Sequence, residues 1–235
     1  MGAVGHALAV FVAFVIGILL IMEGLEALTP LFGTAVSFIS PPLSAVAVVA
    51  GDYLYRRRYV ETSASLSDVV PFTRPSVRAV VVAVLGAVGL YVALNLVSFA
   101  LVSMGAQVSS SQTSIRAMTS TGPTFATALV TLALLAPICE ELLFRGAMLS
   151  ALAPLWRSAR RAPRILSILL VAVLFAALHF QSTGTVMDVL VLATTFTLGA
   201  CCAVLRIRTG SIIPAIIFHA TYNCLGLAIA LLALL

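Results

Sequence analysis

Charge is what this sequence has least of. Asp, Glu, Lys and Arg make up 9% of its 235 residues, against about a quarter in soluble domains. Lysine is absent, so thirteen arginines carry all the basic side-chain charge, opposed by eight acids. So few charges cannot clothe a water-soluble fold of this length, and a soluble globular enzyme is excluded. Paired cysteines are missing too. Cys139, Cys201, Cys202 and Cys224 all lie inside apolar stretches, which argues against a disulfide framework. Cys201 and Cys202 are adjacent, a poor arrangement for a metal pair, and read as small packing residues. The arginines have no aromatic interleaving, so the net charge of +5 marks topology rather than a nucleic-acid footprint.

What is present is apolar: 62% of the residues. The runs are continuous, without the dyad alternation of a membrane barrel, so the expected fold is all-α, a polytopic transmembrane helical bundle. At about 20 residues per crossing, seven spans are expected, near residues 3–22, 30–51, 79–104, 122–153, 165–181, 186–205 and 211–234. The first run has no basic lead and is followed by Glu23 and Glu26 instead of a small-residue cleavage site, so it reads as a retained anchor. Pro41-Pro42 should kink or break the second span. The loop 52–78 is expected to hold a short surface helix, and 105–121, rich in Ser and Thr, reads as a flexible connection. The chain divides into an N-terminal region, 1–119, and a chemistry-bearing region, 120–235.

Arginine placement sets the expected orientation. Arg56, Arg57, Arg58, Arg74 and Arg78 follow span two, Arg157, Arg160, Arg161 and Arg164 follow span four, and Arg206 and Arg208 follow span six. The alternate loops are nearly free of base. The positive-inside rule then gives a cytoplasmic N-terminus and an external C-terminus. All-Arg, Ala- and Val-rich usage suggests a bacterial inner membrane.

Ionisable groups within spans are costly and need partners or a function. They gather at three places: Glu140, Glu141 and Arg145 in span four, His179 at the end of span five, and His219 with Asn223 in span seven, while spans one to three have no such cluster. Glu141 and Arg145 are i,i+4, in the favourable order for an ion pair. Glu140 lies about 100° around the helix from Glu141 and is left over. Pro137 frees a carbonyl one turn earlier, which suggests a local kink beside Glu140. Phe175 can pack under His179, and His219 and Asn223 share a face. A single such histidine reads more readily as a polar bond between helices. Depth joins them: measured from the arginine belt at 1.5 Å per residue, Glu140, His179, His219 and Asn223 lie at about 25, 22, 16 and 22 Å, so one layer can hold all four.

Glu140-Glu141-x-x-x-Arg145, Phe175-x-x-x-His179 and His219-x-x-x-Asn223, in order on separate spans, resemble the CAAX-protease and bacteriocin-processing family of intramembrane endopeptidases. The flanking text, Ala136 to Gly146 and Arg208 to Ile216, is similar too. The resemblance covers about residues 120–228. Members with eight spans are common, one more than the seven counted here. It implies hydrolysis of a peptide bond in a membrane-associated protein or peptide: C-terminal trimming of prenylated proteins in eukaryotic members, peptide maturation, degradation or bacteriocin immunity in bacterial ones. The site residues it implies are Glu140, Glu141, Arg145, His179, His219 and Asn223. Glu140 would be the base that activates water, His179 would position the water, His219 and Asn223 would stabilise the oxyanion, and Arg145 would hold Glu141. Two versions stay open. Glu140, His179 and His219 form a His₂Glu set that zinc accepts, or catalysis needs no metal. Cys139 adjoins Glu140, but neighbouring residues do not face one another, which disfavours a thiol nucleophile. The competing classes are a proton-coupled transporter, disfavoured by the lack of an internal repeat, and a non-proteolytic membrane scaffold or immunity protein of the same fold. Expected partners are a membrane-associated substrate and the lipid bilayer, with no nucleic acid.

Overall fold

The computed structural model describes residues 2–26, 35–60, 62–105, 130–157, 160–180 and 186–232. Every regular element among them is helical, as lipid demands of a backbone that must satisfy its own polar groups. Helix α1 is Ala3–Glu26, α2 is Ala35–Tyr55, α3 is Leu66–Val69 and α4 is Val77–Ser103. An irregular rod follows: π-helical Thr131–Leu135, α5 at Ala136–Glu141, π-helical Leu142–Met148, and α6 at Leu149–Ala151. After it come α7 at Ala153–Trp156, α8 at Arg161–Leu178, α9 at Val186–Thr209 and α10 at Ile213–Leu232.

Among the described residues, four helices are long and apolar enough to cross a bilayer: Ala3–Ile21, Val77–Ser103, Arg161–Leu178 and Asp188–Thr209, with a shorter apolar helix at Ile213–Ile229. Four of the seven expected spans are thus matched by length and composition among the described residues. Much of each candidate span's apolar surface stays exposed, as on α4, where Val82, Leu85, Leu96 and Phe99 point outward. That is the pattern of a protein whose solvent is lipid.

Two local expectations change. The backbone of α2 runs through Pro41-Pro42 without a break. Span four is no uniform α-helix: the Ala136 N–H reaches back five residues to Thr131 O, and the π-helical register returns after Glu141. Pro137, which has no N–H to give, lies at the first of these shifts. The loop after span two does hold a short helix, α3. The connection 105–121 and residues 122–129 of span four fall almost wholly outside the described residues.

The core is built around the irregular rod. Leu143, Phe144, Ala147 and Met148 are fully buried, with Phe144 edge-on to Phe175 of α8 and tilted against Phe11 of α1. Elsewhere α8 packs on α9, α4 on α10, and α1 on α2. Tyr91 of α4 meets Tyr222 of α10 edge-on at 5.4 Å. The end of α3 and the segment after it are pinned to the rod and to the turn before α10: Ser150 donates to Val69 O, Ile212 N–H to Pro71 O and Ser211 Oγ to Thr73 O. Gly146 makes the first of these possible, because a Cβ there would stand 3.1 Å from Val70 Cγ2. Gly210 turns the chain from α9 into α10 with φ of +70°, a conformation that favours glycine.

Candidate active site

Five of the six residues picked out in the sequence form one connected cluster. Glu141 and Arg145, both wholly buried, pair at 2.9 Å across a helical turn. Arg145 also donates from Nη2 to Gly199 O of α9 at 2.8 Å, and its guanidinium lies over the Phe175 ring at 4.7 Å. Buried charges survive when paired and bonded this way. On the other side of Glu141, the imidazole of His219 donates from Nδ1 to Oε1 at 3.1 Å. One carboxylate thus links the rod to α10, and its cation links the rod to α8 and α9.

Glu140 points elsewhere. Its side chain keeps 24% exposure, and its two oxygens face two imidazoles: Oε1 lies 3.9 Å from His179 Nε2, and Oε2 lies 3.8 Å from His219 Nε2. Those separations are too long for direct hydrogen bonds. Among the described residues, the buried Glu140 Oε2 finds no hydrogen-bond donor. His179 caps the C-terminus of α8 rather than continuing it, one turn short of the expected span. Its Nδ1–H donates to Phe175 O at 2.9 Å, and its ring packs on Phe175 with centroids 4.7 Å apart. Phe175 is also edge-on to His219 at 5.7 Å. A single aromatic ring therefore separates and orients both histidines and the arginine.

The tautomers follow from these partners. A carbonyl and a carboxylate accept the two Nδ1 protons, so each neutral ring turns an unprotonated Nε2 toward Glu140. Such outer bonds are what metal-binding histidines also use, and Glu140, His179 and His219 are donors of the kind zinc takes. Among the described residues, however, no group of three or more His, Cys, Asp or Glu is arranged to hold a metal ion. Asn223 lies one turn beyond His219 on α10 and is half-buried. All four cysteines are free thiols.

Sequence reasoning missed two parts of this framework. Gly199 is a site residue by its backbone: a Cβ would meet Phe175 Cδ1 at 3.2 Å, Ala172 Cα at 3.3 Å and Arg145 Nη2 at 3.4 Å. The expectation that spans one to three lack an ionisable cluster is also wrong. His6 of α1 and Asp52 of α2 meet at 2.6 Å, Arg56 pairs with Asp52 at 2.9 Å, and Arg56 donates onward to Ala147 O and Ser150 O of the rod. The i,i+4 spacing of Asp52 and Arg56 was a signal, but His6 stands 46 residues away and only the folded chain brings it in.

Comparison with known proteins supports the resemblance carried by the motifs. Residues 122–225 match the family model described as "Type II CAAX prenyl endopeptidase Rce1-like". That range contains all six candidate site residues. Among curated proteins, an "Uncharacterized 24.3 kDa protein" of Escherichia coli is 36% identical over 99 residues, 42% of this chain and 42% of that protein. The aligned part is thus less than half of either chain. No solved structure matches.

Proposed function

We propose that this membrane protein, with its Rce1-like region at residues 122–225, is an intramembrane endopeptidase that hydrolyses a peptide bond of a membrane-associated protein or peptide. The observation that supports this best is the approach of two imidazole Nε2 atoms to opposite oxygens of one carboxylate, at 3.9 and 3.8 Å. In this reading, water binds beside Glu140 and gives it a proton as it attacks the scissile carbonyl. His179, half-exposed and fixed through Phe175 O, orients that water. With its Nδ1 proton committed to Glu141, His219 handles the reaction at Nε2, donating to the oxyanion when it carries a proton there. Asn223 supplies an uncharged donor to the same oxyanion. Collapse of the tetrahedral intermediate needs a proton on the leaving amine, and Glu140 returns the one it took. Glu141 and Arg145 make no contact with substrate; they hold the rod, α9 and α10 in register.

No step is assigned to a metal. The donor types suit zinc, the arrangement among the described residues does not, and a chelator followed by zinc decides between the two versions. The arginine distribution supports a cytoplasmic N-terminus and an external C-terminus in a bacterial inner membrane. A phosphatase fusion at the C-terminus that is active agrees with this, and a fluorescent cytoplasmic fusion contradicts it.

Comparative profiling of small membrane-associated peptides tests the activity, using cells with the wild-type chain and with Glu140→Gln. Peptides that change with the wild type alone, at equal protein level, are the expected outcome. Identical profiles would sink the protease reading and favour a scaffold or immunity role.

A further inference from the structure

A second concentration of charge, unconnected with the chemistry above, surrounds the chain's single tryptophan. Trp156 closes α7, and its indole is fixed by a 2.8 Å bond from Nε1–H to Leu149 O. Arg206, in the last turn of α9, places its guanidinium carbon 5.7 Å from the indole centre. Arg157 places its own at 5.3 Å. Arg164, in the first turn of α8, donates from Nε to Trp156 O at 3.2 Å. Three cations thus converge on one residue, two on its ring and one on its backbone carbonyl.

Among the described residues, no carboxylate pairs with them. Among the described residues, none of Arg157, Arg164 and Arg206 is in an ion pair. Asp68 lies within electrostatic reach of Arg157, but its carboxylate already accepts from the Ser65 N–H and hydroxyl. Arg157 and Arg164 are exposed, as loop arginines ordinarily are. Arg206 is different. It is only 4% exposed, and its buried Nε has no acceptor among the described residues. A buried guanidinium beside the like charge of Arg157 is unfavourable unless an anion completes it. The cation–π contact with Trp156 offsets part of that cost but supplies no hydrogen-bond acceptor.

We propose that Arg157, Arg164 and Arg206 form an anion site on the Trp156 platform, and that its ligand is the phosphate of an anionic bilayer lipid. Guanidinium donors match phosphate oxygens in geometry and charge. The location selects the source: the arginine-bearing ends of two candidate spans, Arg161–Leu178 and Asp188–Thr209, meet here, at the level where headgroups lie. Basic pockets between helix ends are a recurrent form of lipid recognition.

Trp156 also reports on the site. Its emission is followed in the full-length chain, purified in a maltoside detergent, on titration with short-chain phosphatidylglycerol, short-chain phosphatidylcholine or inorganic phosphate. The expected result is a saturable change with phosphatidylglycerol, at least tenfold tighter than with phosphatidylcholine and weakened by salt. Arg157→Gln/Arg164→Gln, altered only at exposed positions, should weaken it by on the order of tenfold or more. Arg206→Gln should abolish it; if that variant does not fold, the double variant alone carries the test. Saturation by phosphate at concentrations where the lipid gives none overturns the lipid assignment and leaves a free-phosphate site. Equal titration by both lipids, or a double variant indistinguishable from wild type, overturns the site itself. None of these outcomes depends on peptide hydrolysis.

Discussion

His219 gives its Nδ1 proton to Glu141, 3.1 Å away, and by doing so commits its other nitrogen to Glu140. Adjacent glutamates on one rod thereby acquire opposite duties. Glu141 is sealed between an imidazole and a guanidinium, while Glu140 keeps 24% of its side chain exposed. Gln at each position should separate the two. Glu140→Gln keeps the volume and is expected to lower peptide-bond cleavage by about 10²- to 10⁴-fold, the range for loss of a general base, with an unchanged melting temperature. Glu141→Gln should lower the melting temperature as well as activity. Equal thermal losses in the two variants would contradict this division.

Arg145→Met tests the buried pair from the other side. It strands Glu141 in a wholly buried position without its cation. Breaking one side of a buried pair costs about 3–5 kcal/mol, so denaturation in detergent should shift far enough to reduce the folded yield. A methionine variant as stable as wild type would show that the guanidinium contributes nothing to holding the rod.

Gly199→Ala adds one methyl group where Ala172 Cα, a backbone atom, blocks retreat at 3.3 Å. Overpacking of this kind costs about 1–3 kcal/mol, and the displaced neighbours include Arg145 and Phe175. Activity should fall along with stability. Gly226→Ala is the control: its Cβ would meet only Tyr91 Cε2 at 3.7 Å, an ordinary contact, and removing a helical glycine should be neutral or stabilising by up to about 1 kcal/mol. Differential scanning fluorimetry on both variants reads the contrast.

Outside the spans, Asp68 gives a pH prediction. The Ser65 N–H and hydroxyl hold its carboxyl below the ordinary 3.8. A carboxyl lowered in the folded state contributes stability that is fully present above its unfolded value and lost as pH falls through the folded one. Hydrogen exchange of α3 amides should therefore be insensitive to pH above about 5, apart from the intrinsic rate, and lose protection below 3.8. Replacing Ser65 with Ala removes the hydroxyl bond and should move that loss to higher pH.

The polar cluster was legible in the sequence because helix geometry is periodic. Glu141 with Arg145, and Phe175 with His179, are near neighbours on one face, and depth counted from the arginine belt brought three helices to one level. Two kinds of information were out of reach. Contacts such as His6 with Asp52 depend on how separate helices pack, which no local period encodes. Departures from the α register depend on where a backbone bond is cheaper to give up than to keep. Pro137 hinted at one such place, but nothing in Leu142–Met148 marks the second. Span counting is coarser for a related reason: an apolar run guarantees burial in something greasy, not a straight crossing of it.

The seven-residue π-helical stretch from Leu142 to Met148 has a bearing on lineage as well as shape. A wider coil of this sort accommodates a residue beyond the α-helical quota, and each such residue turns everything downstream by about 100°. Deleting one position there would tighten the coil and swing Ala147 and Ser150 away from Arg56. Ancestors or cousins lacking that spare position would need a different tether between the two halves of the chain, and gap placement in any family tree should betray which came first.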